Sequence, residues 1–180
     1  SRIFVSDVDM IVFCTKNPLP LLDTIHLFPV PIQLQVTITG YFKDIEPNVP
    51  DKKQVIECIK KLSSYLDKEN VCVRYDPIIL NSKYHEPFNE EYLKLKEAFE
   101  KNDIKVVSCM ENKYHIGDEN DCCVSIKYAF ERTGKLFKEW KARDCHCVNM
   151  VDIGAYNSCL HGCKYCYANF DSKQIASNYK

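Results

Sequence analysis

Four stretches of the chain have the hydrophobic pattern of β-strands. Residues 8–15 form a nearly continuous apolar run, which predicts a strand buried on both faces of a parallel sheet. Residues 32–39 alternate strictly between apolar and polar, so we expect one face to pack on helices and the polar face to line an interior that holds a ligand or water. Two further strands are predicted at residues 71–76 and 104–110.

Amphipathic helical periodicity follows most of these strands. Asp51 is predicted to cap a helix whose apolar stripe is formed by Val55, Ile59, Leu62 and Leu66. Asn89 is predicted to cap a second helix over residues 90–102, with a stripe of Tyr92, Leu95 and Phe99. A short helix near residues 21–26 and a longer one near residues 125–140 complete the pattern.

The repeated order of strand and helix predicts an α/β fold with parallel, right-handed crossovers. Four units make half of an eightfold barrel, so we expect a partial β/α barrel or an open parallel sheet with a C-terminal cysteine-rich tail. We interpret residues 1–180 as a single domain. It comprises a partial barrel at residues 1–143, a cysteine-rich metal-binding segment at residues 144–170 and a tail at residues 171–180.

Polar residues follow the predicted strands at their carboxyl ends, where active sites of α/β proteins are built. The candidates for catalysis are Lys16, Arg74, Asp76 and Glu111, as binders of carboxylate, amine or ribose groups. Arg74 and Asp76 lie on the same face of their strand and can pair. A structural ion pair is the simpler interpretation of that pair, because structural networks also hold such groups.

The chemistry of the chain is concentrated in its cysteines. Of the 11 cysteines, three follow the spacing Cys-x3-Cys-x2-Cys at Cys159, Cys163 and Cys166. Three thiolates on a short loop can hold three corners of a 4Fe-4S cluster, because soft sulfur is the ligand that iron-sulfur clusters use. The fourth iron then stays open. An open iron can bind S-adenosylmethionine, and Tyr165 resembles the aromatic residue that precedes the third cysteine in radical S-adenosylmethionine enzymes.

Other ligand sets remain open. Cys145 or Cys147 can supply a fourth ligand and close the cluster, which would exclude S-adenosylmethionine from the iron. The same thiols can hold a tetrahedral zinc ion, with His146 or His161 as further candidates. Cys145 and Cys147 can also belong to a second metal site with Cys122 and Cys123, or simply pack in the core.

The composition indicates which kinds of partner and which cellular compartment to expect. The formal net charge of −1 gives no basic footprint for nucleic acid, although it does not exclude a local basic patch. No apolar run approaches the roughly 20 residues that span a bilayer. Clustered cysteines without a signal peptide favour a reducing compartment, so we expect a cytoplasmic protein. Since Ser1 replaces the usual Met, we expect an N-terminal piece to be missing.

Several separate motifs, in the same order, resemble the uncharacterised domain-of-unknown-function family numbered 1848. These motifs are Val8-Asp9, residues 12–18, residues 37–41, residues 46–50, residues 74–78 and the tail from Cys145 to Asn169. The chain departs from the family where Cys14 replaces a usual tryptophan, where an N-terminal segment is absent, and where about one strand-helix unit is missing before Val106. Members are sometimes described as resembling DNA-repair photolyases of the spore photoproduct lyase kind.

The resemblance implies an iron-sulfur protein similar to radical S-adenosylmethionine enzymes. Such a protein uses a reduced 4Fe-4S cluster to generate a 5'-deoxyadenosyl radical, which abstracts hydrogen from a small-molecule or macromolecular substrate. It requires an electron donor. The alternative is a non-catalytic iron-sulfur protein, with an electron-transfer or structural role, or a zinc-binding protein.

Overall fold

The computed structural model describes residues 5–79, 87–108, 122–141 and 146–178. Its centre is a four-stranded, fully parallel sheet in the order β1-β2-β3-β4. The strands are β1 (Ile11–Thr15), β2 (Ile32–Thr37), β3 (Val71–Arg74) and β4 (Lys105–Val107). Each of β2, β3 and β4 pairs with the strand before it in the sequence. The predicted α/β class and the open parallel sheet are therefore confirmed. Because the strands are parallel, their carboxyl ends all lie at the same end of the sheet.

The helices are α1 (Lys52–Leu66), α2 (Pro87–Glu100), α3 (Ile126–Thr133) and α4 (Ser172–Asn178). Asp51 caps α1 as predicted, because its side chain accepts a hydrogen bond of 2.9 Å from the backbone N–H of Lys53. The predicted apolar stripe of α1 is buried at Val55, Ile59 and Leu62 and packs in one core with strand residues Leu34, Val36, Val71 and Val73. Burial of this stripe fixes α1 on the sheet.

Some predicted boundaries are wrong. The predicted helix near residues 21–26 is two short 3-10 turns, Leu19–Leu21 and Ile25–Leu27, in a segment where Pro20 cannot donate a backbone hydrogen bond. Asn89 does not cap α2, which begins earlier, at Pro87, a residue favoured in the first turn. The third helix ends at Thr133 rather than near residue 140, because Gly134 adopts a φ of 69° and terminates it.

β1 is only half-buried, and Cys14 in it is exposed. The expectation of burial on both faces is met in part: Ile11 and Phe13 pack against the core beneath α1, and Val12 packs against the core on the other face. Among the described residues β1 pairs with one strand, β2, so a nearly continuous apolar run is found here at the side of the sheet.

The polar face of β2 is covered by protein. Gln33 and Gln35 are both buried, and the Gln35 amide donates to Gln33 at 2.9 Å. The Gln33 amide in turn donates to the carbonyl of Cys123 at 3.0 Å. For these two side chains, the expectation of an interior that holds a ligand or water is therefore wrong. They anchor the segment before α3 to the sheet.

Candidate functional site

The three predicted cluster ligands lie in one closed loop, residues 157–171, called here the cysteine loop. Asn157 closes this loop: it is almost fully buried and has a φ of 55°. Its side-chain oxygen accepts hydrogen bonds from the backbone N–H groups of Phe170 at 2.8 Å and Asp171 at 3.0 Å. Its own N–H donates to the carbonyl of Ala168 at 2.7 Å. One asparagine therefore joins the two ends of the loop.

The cysteine loop docks on the segment that follows β2. The backbone N–H of Asn48 donates to the carbonyl of His161 at 3.1 Å, and its side-chain amide donates to the carbonyl of Leu160 at 2.9 Å. Lys164 donates its N–H to the carbonyl of Ile45 at 3.0 Å. Gly162, with a φ of 66°, lets the backbone pass close to this segment. These contacts place the loop beside the segment that leaves the carboxyl end of β2.

A buried carboxylate lies beneath the loop. Only 3% of the Glu46 surface is exposed, and its Oε1 lies 3.0 Å from Lys16 Nζ and 2.8 Å from Thr39 Oγ1. The hydroxyl of Tyr165 donates a hydrogen bond to the same oxygen. Lys16 also lies over the Tyr165 ring, 5.6 Å from its centroid. Glu46 thus connects the cysteine loop to the ends of β1 and β2.

The environment of Glu46 favours its ionised form. Burial opposes ionisation, but the hydrogen bond from Tyr165, the charge of Lys16 and the hydrogen bond from Thr39 together lower the pKa of Glu46 below its ordinary value. Burial, followed by the adjacent Glu46 carboxylate, raises the pKa of the Tyr165 hydroxyl. Tyr165 is therefore a neutral hydrogen-bond donor to a charged acceptor, which is a strong kind of hydrogen bond.

The thiols of the cysteine loop are free and partly exposed at Cys159, Cys163 and Cys166. Cys159 Sγ lies 3.3 Å from His161 Nδ1, and the Cys166 N–H donates to the Cys163 carbonyl at 3.0 Å. Burial raises the pKa of the Cys163 thiol. Burial and the charge of Lys16 lower the pKa of His161, so its imidazole is neutral near pH 7.

These donors fit a soft metal or an iron-sulfur cluster by type and accessibility, because free thiols with partial exposure can be deprotonated and ligated. Within the described ranges, no three His, Cys, Asp or Glu side chains already surround a common metal position. Ligation therefore requires the side chains of the loop to turn toward a common centre.

Arg74 and Asp76 form the expected pair at the end of β3. Arg74 NH2 lies 2.8 Å from Asp76 Oδ2, and both side chains are partly buried. Arg74 NH1 also lies 3.9 Å from the thiol of Cys14 on β1. The predicted residues therefore form two groups. Lys16 and Tyr165 both contact Glu46, and Arg74 pairs with Asp76. Glu111 lies outside the described residues.

Cys147 lies in a different cluster of thiols. Its sulfur is 3.8 Å from that of Cys122, and it also hydrogen-bonds the Cys123 thiol. Hydrogen bonds from those two thiols lower the pKa of Cys147. Cys145 lies outside the described residues, so its assignment as a ligand stays a prediction, and so does that of Cys147 as a ligand of the tail cluster.

Sequence reasoning missed three residues that position the cysteine loop: Glu46, Asn48 and Asn157. The signal for the first two was a carboxylate and an amide around Pro47 in the turn segment after a predicted strand, where polar groups reach the functional edge of a parallel sheet. Asn157 gave a weaker signal, as a residue type that tolerates positive φ beside a cysteine motif.

Among the described residues, no helix is long and apolar enough to cross a membrane. No curated protein and no solved structure gives a significant match to the chain. The family model described as Domain of unknown function (DUF1848) matches residues 2–95 and 88–168. These matches span most of the sequence, so the chain belongs to the DUF1848 family.

Proposed function

We propose that this chain is a 4Fe-4S protein similar to radical S-adenosylmethionine enzymes, with Cys159, Cys163 and Cys166 as the cluster ligands. The observation that carries the proposal is the docking of the cysteine loop beside the strand-end residues through Glu46. This edge of a parallel sheet is where α/β proteins bind their substrates. A cluster-binding loop held there would lie next to the groups that bind a substrate.

Tyr165, Glu46 and Lys16 are positioning residues in this proposal. Tyr165 lies directly between Lys164 and the third ligand, so its hydrogen bond to Glu46 restrains the loop close to Cys166. Apart from its ion pair with Glu46, the buried Lys16 ammonium has no hydrogen-bond acceptor among the described residues. Its remaining N–H groups are therefore suited to bind a carboxylate of S-adenosylmethionine or of the substrate.

Arg74 and Asp76 offer a second polar pair on the same edge of the sheet. The Arg74 guanidinium suits a carboxylate or phosphate, and Asp76 suits an amine or a ribose hydroxyl. Glu111 remains a candidate from the sequence alone. When bound, a reduced cluster with an open iron supplies the one-electron reduction of S-adenosylmethionine, and an external electron donor must restore it. The substrate stays undefined.

The test is anaerobic reconstitution with iron and sulfide, followed by electron paramagnetic resonance of the reduced protein with and without S-adenosylmethionine. We expect a 4Fe-4S signal that shifts when S-adenosylmethionine is added. A signal that does not respond would favour a closed electron-transfer or structural cluster. Cys163→Ser should abolish the signal, whereas Cys58→Ser, at a buried thiol of α1, should preserve it.

A zinc site is the second candidate, and one observation favours it. His161 Nδ1 lies close to Cys159 Sγ, and the neutral imidazole can complete a Cys3His ligand set with the three thiols. Metal analysis of protein purified without reconstitution separates the two proposals. One zinc per chain that is lost in both His161→Ala and Cys163→Ser, with no cluster after reconstitution, would replace the iron-sulfur proposal.

A further inference from the structure

Two buried thiols outside the cysteine loop, those of Cys122 and Cys147, come from separate segments of the chain. One segment directly precedes α3, and the other leads toward the cysteine loop. The two segments meet through a hydrogen bond of 2.9 Å from the Val148 N–H to the Val124 carbonyl, and both thiols lie in one small core. The fold therefore brings together two cysteines that are 25 residues apart in the sequence.

The sulfurs of this pair lie side by side. Cys122 Sγ donates a hydrogen bond to Cys147 Sγ at 3.8 Å, and it also lies 3.2 Å from the carbonyl oxygen of His146. A disulfide bond has its sulfurs about 2.05 Å apart, so the two atoms would have to approach by about 1.8 Å. Rotation about χ1 moves the sulfur of a cysteine while its backbone stays in place. The contact is thus one from which a bond between the two sulfurs can form.

Cys123 is the other thiol beside this pair. A bond between Cys122 and Cys123 is disfavoured, because consecutive Cα atoms are about 3.8 Å apart and ordinary disulfides have Cα atoms about 4.4–6.8 Å apart. The thiol from the other segment is free of this restriction. Cys147 is therefore the partner that the geometry favours for Cys122.

The segment before α3 is itself anchored to the sheet. The Lys105 ammonium on β4 donates to the Cys122 carbonyl at 2.9 Å, and the Gln33 amide on β2 donates to the Cys123 carbonyl at 3.0 Å. A covalent bond from Cys122 to Cys147 would extend this anchor to the segment that leads toward the cysteine loop. The bond would thus tether that segment to the sheet.

We infer that Cys122 and Cys147 are a redox-active pair, which a peroxide converts into a disulfide and a dithiol reduces again. Hydrogen peroxide first oxidises one thiol to a sulfenic acid, and one water leaves. The other thiol then attacks the sulfenic sulfur, the S–S bond forms, and a second water leaves. The two thiols lose two electrons and two protons, which end in the two waters. Thiol–disulfide exchange with a dithiol restores both thiols and oxidises the dithiol.

The disulfide would have two consequences. It would close a loop of chain that contains α3, and a cross-link of this kind stabilises the folded protein by restricting the unfolded chain. It would also make Cys147 unavailable as a ligand of a cluster on the cysteine loop. The pair can form a disulfide whether or not the tail binds iron, so the inference does not rest on the proposed function.

The test uses the full chain with the predicted tail ligands removed, as the triple variant Cys159→Ser, Cys163→Ser, Cys166→Ser. The reduced protein is treated with one equivalent of hydrogen peroxide, the remaining thiols are alkylated, and the cross-links are mapped by mass spectrometry without reduction. We expect a bond between Cys122 and Cys147 that dithiothreitol removes. The urea unfolding midpoint should rise on oxidation and return on reduction.

Serine variants made in the same background identify the bonded pair. Adding Cys122→Ser or Cys147→Ser should abolish both the cross-link and the rise in the midpoint. Adding Cys123→Ser, at the neighbouring buried thiol, should preserve both, and so should Cys58→Ser in α1. Circular dichroism checks that each variant is folded.

The cross-link map of the parent protein decides the question even where a variant of the pair does not fold. If the triple variant itself does not fold, the metal-free wild-type chain is mapped in the same way. Cys122 and Cys147 that stay free, that are oxidised singly, or that bond to other cysteines in the folded protein would overturn the inference. That result would leave the tail-cluster proposal untouched, because the predicted tail ligands take no part in this reaction.

Discussion

Lys16 Nζ lies 3.0 Å from Oε1 of Glu46, and both groups are shielded from solvent. The ion pair joins the end of β1 to the segment after β2. The cysteine loop docks on that same segment. Buried charges are costly unless they are paired and hydrogen-bonded, and Glu46 meets that condition through Lys16, Thr39 and Tyr165. One ionised side chain thus joins the cysteine loop to the sheet, in addition to the hydrogen bonds that the loop makes with Ile45 and Asn48.

Glu46→Gln should destabilise the folded protein. The neutral amide would leave Lys16 as a buried charge without its counterion, a change that costs about 3 kcal/mol or more. Urea unfolding measures the loss. Combining Glu46→Gln with Lys16→Met should recover part of the stability, because the double variant no longer buries an unpaired charge.

The control for this prediction is Glu57→Gln, which removes the carboxylate of an exposed pair with Lys60. Exposed pairs contribute little, so its unfolding midpoint should match that of the wild type. If Glu46→Gln were as stable as Glu57→Gln, the ion pair would not be what holds the loop segment to the sheet. The iron bound after reconstitution should fall in Glu46→Gln and not in the control.

Stability should also depend on pH through Glu46. Its pKa is lower in the folded protein than in the unfolded chain, so its ionised form stabilises the fold. That contribution is complete above the unfolded-state pKa of about 4.3 and is lost as the pH falls through the lower folded-state pKa. The stability difference between wild type and Glu46→Gln should therefore be constant from pH 7 to about pH 5 and shrink below pH 4.3. A difference that persists at lower pH would contradict the assignment.

Much of the fold was predictable from local patterns. The alternation in β2 indicates which residues face α1, the stripe of α1 indicates which residues face the sheet, and the Asp51 cap follows from the preference of N-caps for short acceptors. The edge position of β1 was not predictable, because an apolar run carries no information about how many neighbours a strand has. The burial of Gln33 and Gln35 was not predictable either. The Gln33 amide bonds to the carbonyl of Cys123, which lies 90 residues further along the chain.

The candidate site was predictable in part. Lys16, Arg74 and Asp76 could be predicted because each follows or ends a strand in the sequence. Residue order along a strand determines which groups reach its carboxyl end. This order did not lead to Glu46, whose importance comes from Tyr165 and thus from a contact across 119 residues. A docking contact between two loops leaves no periodic signal in either of them.

Asn157→Ala should loosen the cysteine loop without unfolding the sheet. The change removes the acceptor for the N–H groups of Phe170 and Asp171, and each buried unsatisfied group costs about 1–3 kcal/mol. Alanine also tolerates the positive φ of this residue less well than asparagine. Hydrogen exchange of residues 158–171 should become faster than in the wild type, while exchange in β2 and β3 stays unchanged.

The comparison variant is Asn157→Asp, which keeps the acceptor oxygen but replaces the amide that donates to Gln174 at 2.7 Å with a buried carboxyl group. Its loop should exchange at a rate closer to the wild type than to Asn157→Ala. Equal exchange in all three proteins would mean that the loop is closed by other contacts.

Two glycines with almost the same φ allow a separate test of the docking of the loop. Gly162 has a φ of 66° and Gly134 a φ of 69°, so alanine at either position should cost about 1–2 kcal/mol of stability through backbone strain. An added Cβ at Gly162 would meet Pro47 Cγ at 3.4 Å, whereas at Gly134 nothing lies within 4 Å. The strain in Gly162→Ala comes from the positive φ, and because this residue lies in contact with Pro47, a backbone change that relieves the strain also disturbs the docking of the cysteine loop. Iron retention after reconstitution should fall in Gly162→Ala and stay normal in Gly134→Ala, and equal retention in the two variants would show that docking on this segment is not needed to hold a cluster.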